Sequence, residues 1–436
     1  MAKVNGGWLT AKTLYDFGIR NIFSLGGGHI NPIYDACVDL GIRIIDTHHE
    51  QGAAMAADAY GRSKRRPAVC LVTAGPGLTN ALTGIAGSYL SNSPLIIISG
   101  RSGIEENDRN PLQEIDQQAI VTPITKWART IYDQKRIPEY IGKAYKTAIT
   151  GKPGPVYLGM SYEVLYPRLD DKDIDKINFE IPKYTNEPSR VTISEVLNHL
   201  KKSRKPIAIV GSGGWYSDCE KELKRFIESA NIPTFTLNLG RGIISDEHKN
   251  CFGAASPSAP NGFREISSNA DLILLLGIRL SLYMGFGRSF NKDANIVQVE
   301  IDPNEVGSNI SPDLAIICDL KRFLIKLNRS LNKNTKLTKY ISWNKTAHQL
   351  ASKEWKKIES VRSSNKKPIH AVRVAKCVEE VLGNDGIVVI DGGDCQAWTD
   401  VTYRVKKPGG YMKGGLLGCM GVGVPFAIGT KLANPK

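Results

Sequence analysis

Apolar residues in this chain fall into short unbroken runs set between turns and helical stretches. Ala68-Val69-Cys70-Leu71-Val72 is apolar at every position. A run of that length and β-prone composition predicts a strand buried on both faces. Thr73-Ala74-Gly75-Pro76-Gly77 follows as a turn, residues 78–90 as a helical run, and residues 94–99 as a second buried strand. Strand, turn, helix and strand make a βαβ unit, which implies a parallel sheet. The same reading puts a strand at 42–45 before a helix of small residues at 53–59. Further buried strands are predicted at 206–210, 271–277, 296–301 and 386–390, with helical runs at 193–200 and 372–382.

These elements group into three α/β domains, at 1–167, 190–330 and 368–436. A polar connector at 168–190 carries Asp170-Asp171-Lys172-Asp173 and two prolines. The second connector is basic. Of the 57 Lys and Arg and 43 Asp and Glu in the chain, residues 321–367 hold fourteen and two, so the net charge of +14 sits almost wholly there. A local charge run of this kind is a solvated face, with some amphipathic helix around Trp343 and Trp355. It lacks the motif and the domain-wide basic pattern of a nucleic-acid binder. With 436 residues, 42% of them hydrophobic, the chain can fill two or three cores. No stretch has the apolar length of a membrane span. The eight cysteines stand singly, several inside apolar runs, and read as core residues in a reducing cytoplasm.

Candidate chemistry begins at Asp46-Thr47-His48-His49-Glu50-Gln51-Gly52-Ala53-Ala54. Glu50 stands between a strand and a helix, where a carboxylate can be aimed into a cleft. Taken alone, an acid there is also what the helix dipole favours. At the other end, Asp391-Gly392-Gly393-Asp394-Cys395 follows a strand, where open α/β sheets bind ligands and glycine backbone can offer N–H groups to phosphate. Residues 414–425 are too glycine-dense for an ordinary core element.

Together, His49-Glu50-Gln51-Gly52-Ala53-Ala54, Val72 to Asn80, Ile98-Ser99-Gly100, Leu112 to Asp116 and Gly154-Pro155-Val156-Tyr157 resemble the pyrimidine-binding domain of thiamine diphosphate enzymes. The group is the acetolactate synthase and 2-hydroxyacyl-CoA lyase superfamily, and the resemblance runs almost end to end. It implies three doubly wound parallel-sheet domains: pyrimidine-binding, central nucleotide-binding-like and diphosphate-binding. It implies a carboligase or carbon–carbon lyase acting on 2-oxo acids or 2-hydroxyacyl substrates, assembled as a homodimer or homotetramer.

The resemblance gives Glu50 the hydrogen bond to a pyrimidine nitrogen that activates the cofactor. Gly75, Pro76, Asn80, Gly392, Gly393, Asp394 and Cys395 would line the cofactor. Gly418 would offer a carbonyl to its exocyclic amine, and Met420 would wedge between its two rings. His29, in the turn Gly26-Gly27-Gly28-His29, and Gln113 are candidates to polarise a substrate carbonyl. That turn and the Asp391-Gly392-Gly393-Asp394 loop look more like the lyases, and Leu112 stands where the synthases usually have Phe. In the central domain, Gly211, Gly213, Arg279, Glu300 and Asp319 match the segments that hold FAD or ADP in relatives. Leu280-Ser281-Leu282 replaces the acidic pair usual in the FAD form, so FAD, ADP or an empty fold all remain open. The family's Gly-Asp-Gly magnesium motif is absent from the sequence. The expectation is therefore a third domain that is incomplete, a magnesium site only in an intact protein, and no catalysis by this chain alone. A non-catalytic nucleotide-binding scaffold is the alternative.

Overall fold

The computed structural model describes residues 3–170, 172, 174, 186–334 and 338–436. Most of the connector expected at 168–190, and residues 335–337 of the basic one, lie outside the described residues. The chain packs as two compact units, residues 1–183 with 414–436, and residues 184–413. The region from 368 onward is thus divided between them.

The first unit is built on a six-stranded parallel sheet. Its strands stand in the order Arg43–Asp46, Asn21–Ser24, Ala68–Val72, Leu95–Arg101, Pro155–Ser161 and Trp127–Ile131. Side chains alternate across a strand, and both faces are covered. Val69, Leu71, Ile96 and Ile98 join one core, while Cys70, Val72, Leu95 and Ile97 join another on the opposite face. That is why the run at 68–72 is apolar throughout.

The helix Glu50–Lys64 lies over the second core with Pro76–Leu90 and Gly423–Ala433 beside it. Its alanines permit close approach: a Cβ built on Gly429 would stand 2.0 Å from the Ala56 carbonyl oxygen. Within this helix Asp58 and Arg62 form a buried ion pair at 2.5 Å, and the Arg62 guanidinium lies over the Phe426 ring. Buried charges need such pairing to be tolerated.

The second unit has its own six-stranded parallel sheet, ordered Cys251–Ala254, Thr234–Thr236, Pro206–Val210, Leu272–Leu276, Asn295–Glu300 and Leu314–Ile317. Numbered along the chain, that order is 3-2-1-4-5-6, the dinucleotide-binding arrangement. The basic segment is not a free connector. It forms the helices Leu320–Asn334 and Ile341–Arg362. Phe323, Leu324 and Leu327 of the first are buried in the core, and the Trp343 indole N–H donates to the Pro206 carbonyl at 3.0 Å.

A short parallel pair, Val388–Ile390 with Tyr411–Lys413, completes the unit. It is tied to the central fold by the buried Arg241–Asp246 pair. Arg241 donates to the Tyr403 carbonyl, and Asp246 accepts from the Val405 N–H. Among the described residues, no helix is long and apolar enough to cross a membrane.

Candidate active site

In the first sheet the connections reverse direction between Asn21–Ser24 and Ala68–Val72. Ligand crevices of open α/β sheets form at such a switch point, outside the strand C-termini. The turns leaving these two strands carry His29 and Gly75. His29 Nδ1 lies 3.3 Å from the Thr73 hydroxyl. The ring is half-buried, and burial lowers its pKa below 6.5 against the opposing pull of Glu106. A neutral imidazole is therefore the form held at pH 7.

Gly75 caps the helix Pro76–Leu90 with φ of 56° and ψ of −111°. A Cβ there would stand 2.7 Å from the Gln113 Cβ. Gln113 itself has φ of 64°, uncommon for a residue with a side chain. Its Oε1 is buried with no hydrogen-bond partner. An orphaned acceptor at a switch point is a costly feature unless a ligand satisfies it.

Glu50 is the first residue of its helix, whose start is capped by His49 Nδ1 accepting from the Gln51 N–H. Its side chain is buried, at 6% exposure. Asn80, one turn into the neighbouring helix, donates from Nδ2 to Glu50 Oε2 at 3.0 Å. The fold thus brings His29, Glu50, Gly75, Pro76, Asn80 and Gln113 onto the turns and helix starts of one sheet edge.

Two residues without a role in the sequence reading belong here. Thr73 faces His29. Gln117, 4% exposed, accepts from the Gly75 N–H and donates to the Gly100 carbonyl. Gln117 follows Asp116 in a polar stretch, so composition gave no signal that its side chain is buried.

Gly418 and Met420 also fold with the first unit. Gly418 has φ of 74° and open space beside it, and Met420 is 74% exposed. Gly392, Gly393, Asp394 and Cys395 lie in the second unit, at the end of Val388–Ile390. Gly393, with φ of 78°, turns the chain into the helix Asp394–Thr402. The first N–H groups of a helix have no intrahelical acceptor, which suits an anion. Asp391 Oδ1 accepts the Gly392 N–H at 2.6 Å. Further along this helix Gln396 donates to the Tyr283 hydroxyl, and Asp400 pairs with the buried Lys413 at 2.5 Å.

At the switch point of the second sheet, Gly211 and Gly213 meet Gly277 rather than open space. Cβ atoms built on them would stand 2.6 Å and 2.7 Å from Gly277 atoms. These glycines let two strand ends close on each other. Arg279 follows, 3.5 Å from the Glu305 carboxylate. Glu300 is buried, and desolvation first, then the nearby Glu305 carboxylate, push its pKa up to about 7 against the Ile301 N–H it accepts. Asp319 Oδ1 accepts from the Arg322 N–H, so it caps the following helix. Among the described residues, no group of three or more His, Cys, Asp or Glu is placed to hold a metal ion.

The chain matches three family descriptions in order: the thiamine pyrophosphate enzyme N-terminal TPP binding domain at residues 4–120, the central domain at 193–327, and the C-terminal TPP binding domain at 391–436. The acetolactate synthase large subunit of Lactococcus lactis is 33% identical over 437 residues, 99% of this chain and 74% of that protein. A probable acetolactate synthase large subunit of Methanocaldococcus jannaschii is 31% identical, over 97% of this chain and 73% of its own length. The 2-hydroxyacyl-CoA lyase 2 of Danio rerio is 28% identical, over 99% and 74%. In the first unit, the buried Glu50 carboxylate held by Asn80 fits a polar heteroaromatic group such as the aminopyrimidine of thiamine diphosphate. The chain belongs to the thiamine pyrophosphate enzymes, in the group of the acetolactate synthases and 2-hydroxyacyl-CoA lyases.

Proposed function

We propose that this protein makes or breaks a carbon–carbon bond beside the carbonyl of a 2-oxo acid or a 2-hydroxyacyl thioester, using thiamine diphosphate with magnesium. The observation that carries this reading is the buried Glu50 at the start of its helix, fixed by Asn80. Bound thiamine diphosphate supplies an electron sink for a carbanion next to a carbonyl carbon. Glu50 would place its carboxyl group against a ring nitrogen of the aminopyrimidine, and its burial would keep water from competing for that hydrogen bond. The Asn80 amide fixes one carboxylate oxygen so that the other faces the ligand. His29, neutral at pH 7, donates a hydrogen bond to a substrate carbonyl or accepts one from a hydroxyl. Gln113 orients the same group from the opposite turn. Gly418 and Met420 would contribute to the pyrimidine side. In the second unit, taken by itself, the N–H groups from Gly393 to Cys395 at the start of the helix Asp394–Thr402 suit a phosphate.

In the central domain, Gly211, Gly213, Arg279 and Glu300 stand at the switch point of a dinucleotide-type sheet, which would take the adenine-nucleotide part common to FAD and ADP or carry no ligand. Visible flavin absorbance in the purified protein would separate the two. Exposed apolar residues of the first unit, Tyr89, Leu417, Val424 and Ile428, suit a second copy of the chain in a homodimer or homotetramer. The unpaired cysteines suit a reducing, cytoplasmic setting.

The test is magnesium- and cofactor-dependent turnover of pyruvate and of a 2-hydroxyacyl-CoA by the full-length protein, as wild type and as Glu50→Gln. The substitution keeps the shape of the side chain and removes the carboxyl proton. Exchange of the thiazolium proton into deuterated water should slow by ~100-fold or more, as expected on losing a positioned acid–base group, with the melting temperature unchanged. Wild-type exchange in the variant refutes the role given to Glu50.

A further inference from the structure

Gln117 opens the short helix Gln117–Val121, and its amide is buried against three adjacent strands of the sheet. Its Oε1 accepts from the Gly75 N–H at 2.8 Å. Its Nε2 lies 2.9 Å from the Gly100 carbonyl, 2.7 Å from the Ser99 hydroxyl and 3.0 Å from the Tyr157 hydroxyl. The Ser99 and Tyr157 oxygens are 2.8 Å apart and complete the node. A side-chain amide can accept from one peptide and donate to another with the same planar group, and it does so without carrying a charge.

Buried polar groups are normally paired, so pairing alone would make Gln117 an ordinary satisfied core residue. Its two backbone partners are what set it apart. Gly75 packs against Gln113, and a Cβ built on Gly100 would stand 2.4 Å from the His29 Cβ. The peptides that Gln117 clamps are thus the two supports behind the two residues assigned to the substrate carbonyl.

We propose that Gln117 is a positioning residue, fixing His29 and Gln113 in the site by holding the Gly75 and Gly100 peptides in one geometry. This rests on the reading of His29 and Gln113 given above. The fixed spacing matters because displacement of a reacting group by about 1 Å can cost ~100-fold in rate.

The experiment compares Gln117→Glu, Gln117→Leu and Tyr157→Phe. Gln117→Glu is nearly isosteric and still accepts from Gly75, but it presents a carboxylate to the Gly100 carbonyl. Tyr157→Phe removes the far end of the node and leaves both glycine bonds. Turnover is read alongside the melting temperature and the NMR titration of the His29 ring in cofactor-free protein. Glu106 is the charge acting on that ring, and the Thr73 hydroxyl faces its Nδ1.

Both Gln117 variants should lose ~10–100-fold in kcat, and His29 should titrate closer to 6.5 as its ring regains water. Tyr157→Phe should change neither, whatever it does to stability. If Gln117→Leu does not fold, Gln117→Glu carries the comparison. A wild-type His29 titration in the Gln117 variants, with kcat falling only in step with Tyr157→Phe, would overturn the proposal. Wild-type turnover in His29→Ala and Gln113→Ala would instead overturn the site reading, while the His29 titration would still report whether Gln117 holds the turn.

Discussion

Glu300 should make the central unit less stable as pH rises, and Glu300→Gln should remove that dependence. The side chain ends the strand Asn295–Glu300 at 8% exposure. Desolvation, reinforced by Glu305, pushes the carboxyl from 4.5 to about 7, although the Ile301 N–H donates to Oε1 at 2.8 Å. The unfolded chain gives up this proton near pH 4.5 and the folded chain near 7, so between those values the folded state binds more protons. Its stabilising contribution is complete below the unfolded value and is lost as pH rises through the folded one. The gap corresponds to about 3 kcal/mol. Glutamine keeps an acceptor for the Ile301 N–H and stays neutral. Calorimetric unfolding should find wild type and variant similar near pH 4.5. By pH 8 the variant's transition should lie higher by roughly 6–12 °C, for a domain of this size. A melting difference that stays constant from pH 4.5 to 8 would refute the reasoning, since it would mean that the carboxyl ionises alike in both states.

Two substitutions probe the packing that builds the site. Gly100→Ala places a methyl group against the His29 side chain, so kcat should fall by ~10-fold or more while thiazolium exchange, which depends on Glu50, keeps its wild-type rate; equal loss of both would mean the whole sheet edge has shifted. Gly429→Ala drives a methyl group into the Ala56 carbonyl, and overpacking of that kind costs about 1–3 kcal/mol. Chemical denaturation followed at the first unit measures it, and an unchanged midpoint would show that the helix Gly423–Ala433 does not pack on Glu50–Lys64 as described.

The central strands were legible because their physics is written twice, while the shorter outer strands such as Thr234–Thr236 and Leu314–Ile317 carried no such run and were not read. A strand covered on both faces must be apolar at consecutive positions, and Ala68–Val72 and Leu272–Leu276 are. The turn at Gly75 was legible for a related reason, since a positive φ at the start of a helix restricts residue choice. What periodicity does not carry is which strand lies beside which. The 3-2-1-4-5-6 order of the second sheet comes from crossover connections whose sequences look like any amphipathic helix. The basic segment misled for the opposite reason. Its lysines are real surface residues, but they frame the stripe Phe323, Leu324 and Leu327, which buries one face of a helix. Net charge reports on the outer face of such a helix and says nothing of the inner one.

Gln117 marks where sequence reading stops. Hydrophobic pattern finds cores by the absence of polar atoms, and a buried amide violates that rule at one position while obeying a stricter one. Its oxygen and nitrogen meet a peptide N–H at 75 and a carbonyl at 100, forty-two and seventeen residues away. Neither partner is a side chain, so no choice of residue at 75 or 100 announces the bond; the glycines there answer to Gln113 and His29 instead. Sequence can therefore name residues proposed to face a ligand, while the amide that bonds the peptides behind them becomes visible only when the strand ends carrying Gly75 and Gly100 are brought together.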